Sequence, residues 1–219
     1  MNRLAIFDCD GTLVDSGHTI CLAMEECFVR ADLEPPSRER TRRVVGLSLV
    51  EAMQAIVPEA HPELHVSLAR DYKHAFQSLR ARGLVEEPLY DGIAELIDTL
   101  DEDGWLLGVA TGKSDRGLSH CLDRHGLGGR FVTLQTADRH PSKPHPSMIE
   151  RALADAGASP ETSIMIGDTS FDMAMARAAG VTAIGVAWGY HEAEELKAAG
   201  ADFIAEHPRD ITAFVKALA

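Results

Sequence analysis

The chain is short of positive charge. It carries 21 Lys and Arg against 34 Asp and Glu, a formal net charge of -13. Nucleic acid and anionic membrane surfaces are therefore not expected partners, because both are gripped through clustered Lys and Arg. The overall charge also cannot draw in an anionic substrate, which then requires a local cation or a metal. Long hydrophobic runs are missing too: none approaches the ~18 residues of a membrane span. No basic-then-apolar leader precedes the first expected strand. Cysteine is sparse, and Cys9, Cys21, Cys27 and Cys121 form no metal-type or redox-type pair. They read as buried free thiols, which fits a reducing, cytoplasmic setting without a membrane partner. Internal repeats and low-complexity tracts are absent. What remains is ample: hydrophobic residues make up 45% of 219, enough to fill the core of one ordinary domain plus a smaller insertion.

Periodicity divides the chain. Leu4-Ala5-Ile6-Phe7 runs straight into Asp8, as in a short strand buried on both faces. Helical spacing follows over residues 18–31, where Ile20, Ala23, Met24, Cys27 and Phe28 form one stripe. Pro35-Pro36 breaks the chain, Ser37 can cap a short helix through Arg43, and further helices are expected over Leu49–Val57 and 62–82. Gly83 is the stop. Beyond it strand and helix alternate: strands at Trp105–Ala110, Phe131–Gln135, Ser163–Ile166, Thr182–Val186 and Phe203–Ile204, with helices near 91–103, 114–125, 146–156, 171–179 and from Arg209. Alternating β and α units predict an α/β fold, a doubly wound parallel sheet with helices on both faces. Residues 1–14 and 84–219 then make a Rossmann-like core, and 15–83 an α-helical cap inserted after the first strand. Hinges are expected at Val14–Gly17 and Leu84–Pro88. The sequence sets no oligomeric state.

Four strand ends carry polar residues. The first is Asp8-Cys9-Asp10-Gly11-Thr12. Strand alternation puts Asp8 and Asp10 on one side, and Gly11 lets the backbone turn, at the carboxyl edge where open α/β sheets bind ligands. Asp-x-Asp-Gly is also an ordinary turn or part of a calcium loop, but that loop's twelfth position, a Glu in an EF-hand, is here Thr19. The second strand ends in Thr111-Gly112-Lys113-Ser114-Asp115. A hydroxyl beside a glycine at a helix start suits an anion, and a plain cap by Ser114 or Asp115 serves equally. Third comes Ser142-Lys143-Pro144-His145-Pro146, with Pro146 expected as the first helical residue. Two prolines stiffen the approach to Lys143, which a rigid turn can aim inward at a phosphate or carboxylate. His140 and His145, in the same loop, read as surface residues. The fourth is Gly167-Asp168-Thr169-Ser170-Phe171-Asp172, with Asp172 one helical turn after Asp168. Carboxylates converging at ~4 Å repel by about 4 kcal/mol per pair at an effective dielectric of 20. A hard divalent ion with a substrate phosphate resolves that repulsion.

Together the four segments resemble the haloacid dehalogenase superfamily, whose motifs occur in this order at successive strand ends. Asp8-x-Asp10-Gly11-Thr12 is similar to the first motif, Thr111 to the second, Lys143 in Lys-Pro-x-Pro to the third, and Gly167-Asp168-x-x-x-Asp172 to the fourth. The helical insertion, Leu13-Val14-Asp15-Ser16 and Arg43-Val44-Val45-Gly46-Leu47 resemble the branch of phosphoglycolate phosphatase-like and β-phosphoglucomutase-like enzymes. The resemblance implies a nucleophilic Asp8 that becomes an aspartyl-phosphate, and Asp10 as general acid and then base. It implies Mg²⁺ held by the Asp8 carboxylate, the Asp10 carbonyl and Asp168, with Asp172 acting through a water. Thr111, Lys143 and the backbone near Gly11, Thr12 and Gly112 then cradle the phosphoryl oxygens. An Asp two residues after the nucleophile favours phosphate-ester hydrolysis or mutase chemistry over dehalogenation. The implied partner is a small phosphorylated metabolite, 2-phosphoglycolate first, with a sugar phosphate or pyrophosphate close behind. Arg42, Arg43 and Ser48 of the cap can meet a second anionic group or simply face solvent. A mutase and a non-catalytic phospholigand-binding protein are the rival readings.

Overall fold

The computed structural model describes residues 2–217. The chain opens with β1 (Asn2–Phe7), whose last four residues are fully buried because helices cover both faces of the sheet. Four helices follow: α1 (Gly17–Arg30), α2 (Arg38–Arg42), α3 (Leu49–Ile56) and α4 (Pro62–Ala81). Two of them, α2 and α4, start where the local chemistry favours it. The Ser37 hydroxyl accepts the Arg40 N–H at 3.2 Å, and Pro62 opens α4, where its missing N–H costs nothing. On α4 the buried residues Leu68, Tyr72, Ala75 and Leu79 recur at helical spacing. They pack on Met24, Cys27 and Phe28 of α1 and on Met53 and Ile56 of α3. Burying each of the larger side chains contributes roughly 2 kcal/mol, so the insertion has its own apolar core.

After the insertion come α5 (Ile93–Glu102), β2 (Trp105–Thr111), α6 (Asp115–Arg124), β3 (Thr133–Thr136), α7 (Ser147–Ala156), β4 (Ala158–Gly167), α8 (Ser170–Ala179), β5 (Thr182–Val186), α9 (Ala193–Ala198), β6 (Phe203–Ala205) and α10 (Pro208–Ala217). The six strands form one sheet in the order β3-β2-β1-β4-β5-β6, and every pairing is parallel. The fold is the α/β architecture expected. Phe7, Val109, Ile166 and Val186 face one covered side with Ile97, Leu118 and Ile211, while Leu4, Ile6 and Met165 face the other with Ile149 and Met173. With β1 central, the carboxyl ends of β1, β2 and β4 lie side by side at the point where the strand order reverses, the usual ligand edge of such sheets.

Several boundaries differ from expectation. Phe131 precedes β3 and sets its ring edge-on to Phe7, with centroids 6.4 Å apart. β4 begins at Ala158, five residues early, because a polar stretch without apolar alternation still pairs with Asn2. Pro146 caps α7 from outside it, and the six-residue α9 escapes a periodicity reading because Leu196 is its one buried side chain. The two chain segments that join cap to core run together: Asp15 N–H donates to Pro88 O at 2.8 Å and Tyr90 N–H to Leu13 O at 3.1 Å. Among the described residues no helix is long and apolar enough to cross a membrane.

Candidate active site

Asp8 stands immediately past β1, and its N–H donates to Ile166 O of β4 at 2.9 Å, which locks it to the neighbouring strand end. Its Oδ1 accepts from Cys9 N–H at 2.6 Å and from Lys143 Nζ at 2.9 Å. Its Oδ2 is buried and has no hydrogen-bond partner. Burial pushes the Asp8 carboxyl up from 3.8 to about 7, against the pull of the Lys143 ammonium, and the nearby Asp172 charge adds to the rise. Lys143 is 1% exposed and also donates to Asp172 Oδ1 at 2.6 Å. Burial opposes its charge, yet Asp172 and Asp8 outweigh that and hold the ammonium more basic than usual.

Asp168 and Asp172 come from the β4–α8 junction. Asp168 accepts from the Thr12 hydroxyl at 2.7 Å and from Tyr190 N–H at 2.9 Å. A side chain at Gly11, whose φ is +83°, would collide with the Asp168 carboxylate, so only glycine allows this approach. Burial, then the Asp8 charge, raises the Asp168 carboxyl well above its ordinary range. Asp172 closes a capping box: its Oδ2 accepts from Thr169 N–H at 3.0 Å and from the Thr169 hydroxyl at 2.7 Å. One carboxylate oxygen from each of Asp8, Asp168 and Asp172 lies within 4.8 Å of the others, and all three residues are fully buried.

These residues fit a hard divalent cation. Three buried carboxylates converge with a single ammonium, Lys143, against two of them, and an all-oxygen donor set of this kind is what Mg²⁺ takes. Asp8 and Asp168 are the candidate donors. Both oxygens of Asp168 accept from neutral groups, the Thr12 hydroxyl and Tyr190 N–H, whereas Asp172 gives Oδ1 to the Lys143 ammonium and Oδ2 to Thr169.

Asp10 turns away from this cluster toward the cap. Its Oδ1 accepts from the Ser16 hydroxyl and from Lys113 Nζ at 2.8 Å. Lys113 Nζ also lies 2.6 Å from Glu87 Oε1, a carboxylate only 2% exposed in the returning linker. Burial opposes the Lys113 charge, but Asp10, Cys9 and Glu87 hold it well above the usual lysine range. Thr111 is 1% exposed, and its Oγ1 accepts from Lys113 N–H at 3.2 Å. Gly112 lies against the cap: a Cβ there would stand 2.8 Å from the Gly46 and Leu47 carbonyl oxygens.

The cap is tied down at one end. Arg43 grips Glu195 of α9 with two hydrogen bonds of 2.5 Å, which pulls the Glu195 carboxyl down to about 2. His191 Nε2 donates to Arg43 O at 3.2 Å, and Ser48 N–H donates to the Ser142 hydroxyl at 2.8 Å. A cavity of 520 Å³ remains between cap and core, with Asp10, Gly112 and Lys113 on its core side and Ser48 in its cap wall. Neither Arg42 nor Arg43 lines it.

The residues singled out by sequence thus divide. Asp8, Thr12, Lys143, Asp168 and Asp172 form one buried cluster; Asp10 and Gly112 face the cavity; Arg43 serves a cap–core ion pair; Ser48 bonds Glu51 through its hydroxyl. His140 is not a plain surface residue: Nε2 donates to Gln135 Oε1 and Nδ1 accepts from the Ser147 hydroxyl, each at 2.8 Å, bracing the Lys143 loop. Reasoning from sequence overlooked Lys113, Glu87, Tyr190 and His191. Lys113 adjoins Thr111, and the run Trp188-Gly189-Tyr190-His191 follows β5 at the ligand edge, so both carried a signal. Glu87 carried none.

Comparison with known proteins agrees with this geometry. The family described as haloacid dehalogenase-like hydrolase matches residues 5–186. The chain is 36% identical to IndB of Dickeya dadantii, named as a probable phosphatase, over all of this chain and 95% of that protein. It is 31% identical to the pyrophosphatase PpaX of Anoxybacillus flavithermus, over 94% of this chain and 93% of that one. Among solved structures, a hydrolase from Pseudomonas syringae superposes with a TM-score of 0.86 at 26% identity, covering 100% of both chains.

Proposed function

The chain belongs to the haloacid dehalogenase-like hydrolases, and from that premise we propose that it is a Mg²⁺-dependent phosphatase working through an aspartyl-phosphate. The observation that carries the reading is the split of the Asp8 carboxylate: Oδ1 is pinned by Cys9 N–H and Lys143, while Oδ2 is buried and unpaired. A nucleophile needs one oxygen held and the other free. Asp8 and Asp168 would hold Mg²⁺, whose charge would offset repulsion between an anionic nucleophile and an anionic phosphate.

In the first half-reaction Asp8 Oδ2 attacks phosphorus, the P–O bond to the leaving alcohol breaks, and Asp10 gives the departing oxygen its proton. In the second, Asp10 takes a proton from water, which attacks phosphorus, releases inorganic phosphate and restores Asp8. Lys143 balances charge on the phosphoryl oxygens, with Thr111 and the backbone around Gly11, Thr12 and Gly112 completing the cradle. Asp172 holds Lys143 in place. Thr12 contributes differently from Thr111, because its hydroxyl is spent on Asp168.

The test is phosphate release from a panel of phosphomonoesters with and without Mg²⁺, beginning with 2-phosphoglycolate and pyrophosphate. Mg²⁺-dependent release that falls roughly a thousandfold or more in Asp8→Asn supports the reading. A hydroxylamine-sensitive phosphate label on the protein identifies the acyl-phosphate. Interconversion of glucose 1-phosphate and glucose 6-phosphate without phosphate release would replace the phosphatase with a mutase. No chemistry with any ester would replace it with a binding protein.

A further inference from the structure

The cavity between cap and core is too large and too apolar for the smallest phosphate esters. At about 30 Å³ for each water-sized unit, its 520 Å³ holds roughly 17 heavy atoms. A two-carbon acid or an inorganic phosphate leaves most of that space to water. The cap wall includes an apolar stretch of Met24, Val45, Ala69, Tyr72 and Phe76, and water against that stretch is better replaced by apolar ligand atoms. The core side of the same cavity includes Asp10, Gly112 and Lys113. The space is therefore continuous with the loops that carry the proposed general acid and phosphate cradle.

Phe76 occupies a special place in this wall. The Arg80 guanidinium carbon lies 5.2 Å from its ring centroid and Lys113 Nζ 5.8 Å, and both cations are drawn toward Glu87. The ring is thus fixed from its charged side and presents an aromatic surface beside the cavity. Arg70, Lys73 and Arg116 also line the cavity, against the acidic Asp10 and Asp138. In a chain of net charge -13 this is a local field that suits a phosphate ester.

We propose that the substrate is a phosphomonoester whose leaving alcohol bears an apolar body of ring size or larger, lodged against Met24, Val45, Tyr72 and Phe76. The assignment rests on the phosphatase reading for where the phosphorus sits, and on the cavity alone for what the rest of the molecule is. The ring-bearing body displaces water from the cap wall, while the phosphate lies at the Asp10 end of the cavity, two residues along the chain from Asp8.

The experiment compares primary alkyl phosphates, so that the leaving alcohols are of similar reactivity: 2-phosphoglycolate, glycerol 3-phosphate, 2-phenylethyl phosphate and a nucleoside 5′-monophosphate. Steady-state phosphate release is measured on the full chain with Mg²⁺. The expected result is kcat/KM at least tenfold higher for the ring-bearing esters than for 2-phosphoglycolate. Two variants report on the wall. Phe76→Ala enlarges the cavity, Ala69→Leu fills it, and each lowers the ratio of ring-bearing to two-carbon kcat/KM at least fivefold, chiefly through KM. A melting curve shows that each variant is folded. Equal or better turnover of 2-phosphoglycolate, or a ratio unmoved by both variants, overturns the proposal. Calorimetric binding of 2-phenylethyl phosphate and 2-phosphoglycolate to Asp8→Asn with Mg²⁺ separates the two layers of the reading. Tighter binding of the ring-bearing ester with no turnover of any ester rejects the phosphatase and keeps the cavity assignment, whereas equal affinity for both rejects the cavity assignment.

Discussion

Removing the nucleophile should make the metal-free protein more stable. Asp8 is fully buried, and burial lifts its carboxyl from 3.8 to about 7, against Lys143 and with help from Asp172. An acid that is weaker in the folded state binds its proton more tightly there. The stability tied to that proton is complete below about 3.8 and drains away as pH rises toward 7. At 1.36 kcal/mol per tenfold, ionised Asp8 costs the fold about 4 kcal/mol at pH 8, and under 2 kcal/mol at pH 5. In Asp8→Asn that cost vanishes, since the carboxamide cannot ionise and its oxygen still accepts from Cys9 N–H and Lys143. Allowing for the imperfect match of the amide nitrogen in the Oδ2 position, the variant gains about 2–4 kcal/mol at pH 8. For a chain of this size that is about 5–15 °C in Tm. The assay is thermal unfolding of both proteins in EDTA at pH 8 and pH 5, then with Mg²⁺ at pH 8. The gap should shrink by more than half at pH 5, and saturating Mg²⁺ should raise the wild-type Tm toward that of the variant. A variant melting below wild type in EDTA at pH 8, or a gap equal at the two pH values, refutes the electrostatic account of this cluster.

Lys113→Met strips the cation from two buried carboxylates, Asp10 and Glu87, and should cost about 3 kcal/mol, read as a fall of roughly 6–12 °C in Tm. Adding Glu87→Leu should recover part of that loss, since the second carboxylate is then gone. Gly112→Ala forces a Cβ to 2.8 Å from the Gly46 and Leu47 carbonyl oxygens. Steady-state kinetics should show KM raised severalfold as the cap is pushed off, with Tm changed by only a few degrees. The Arg43–Glu195 pair is 46% and 34% exposed, so a double-mutant cycle should give it at most about 1 kcal/mol. Its loss should instead appear in small-angle scattering as a larger radius of gyration at low salt, with wild type approaching the variant as salt rises.

Much of this protein was legible as a string. Four apolar residues before Asp8, and a comparable run before Gly167-Asp168, place carboxylates at the tips of buried parallel strands, because nothing else accommodates such runs so close to charge. Helical spacing in residues 18–31 and 62–82 marks the helical insertion for the same local reason, and Asp8, Asp10, Thr111, Lys143, Asp168 and Asp172 all stand out by residue type and spacing alone. These signals are short-range: period, punctuation and residue type within a few positions. What they leave open is pairing across the chain. Lys113 chooses Asp10 and Glu87; Thr12 turns to Asp168, 156 residues away; Arg43 joins α9 rather than the cavity; and Asp172 gives both its oxygens to protein donors. Only the folded chain decides which buried charge meets which, because electrostatic and packing energies depend on distance in space, and sequence separation carries no information about that distance once the sheet has closed.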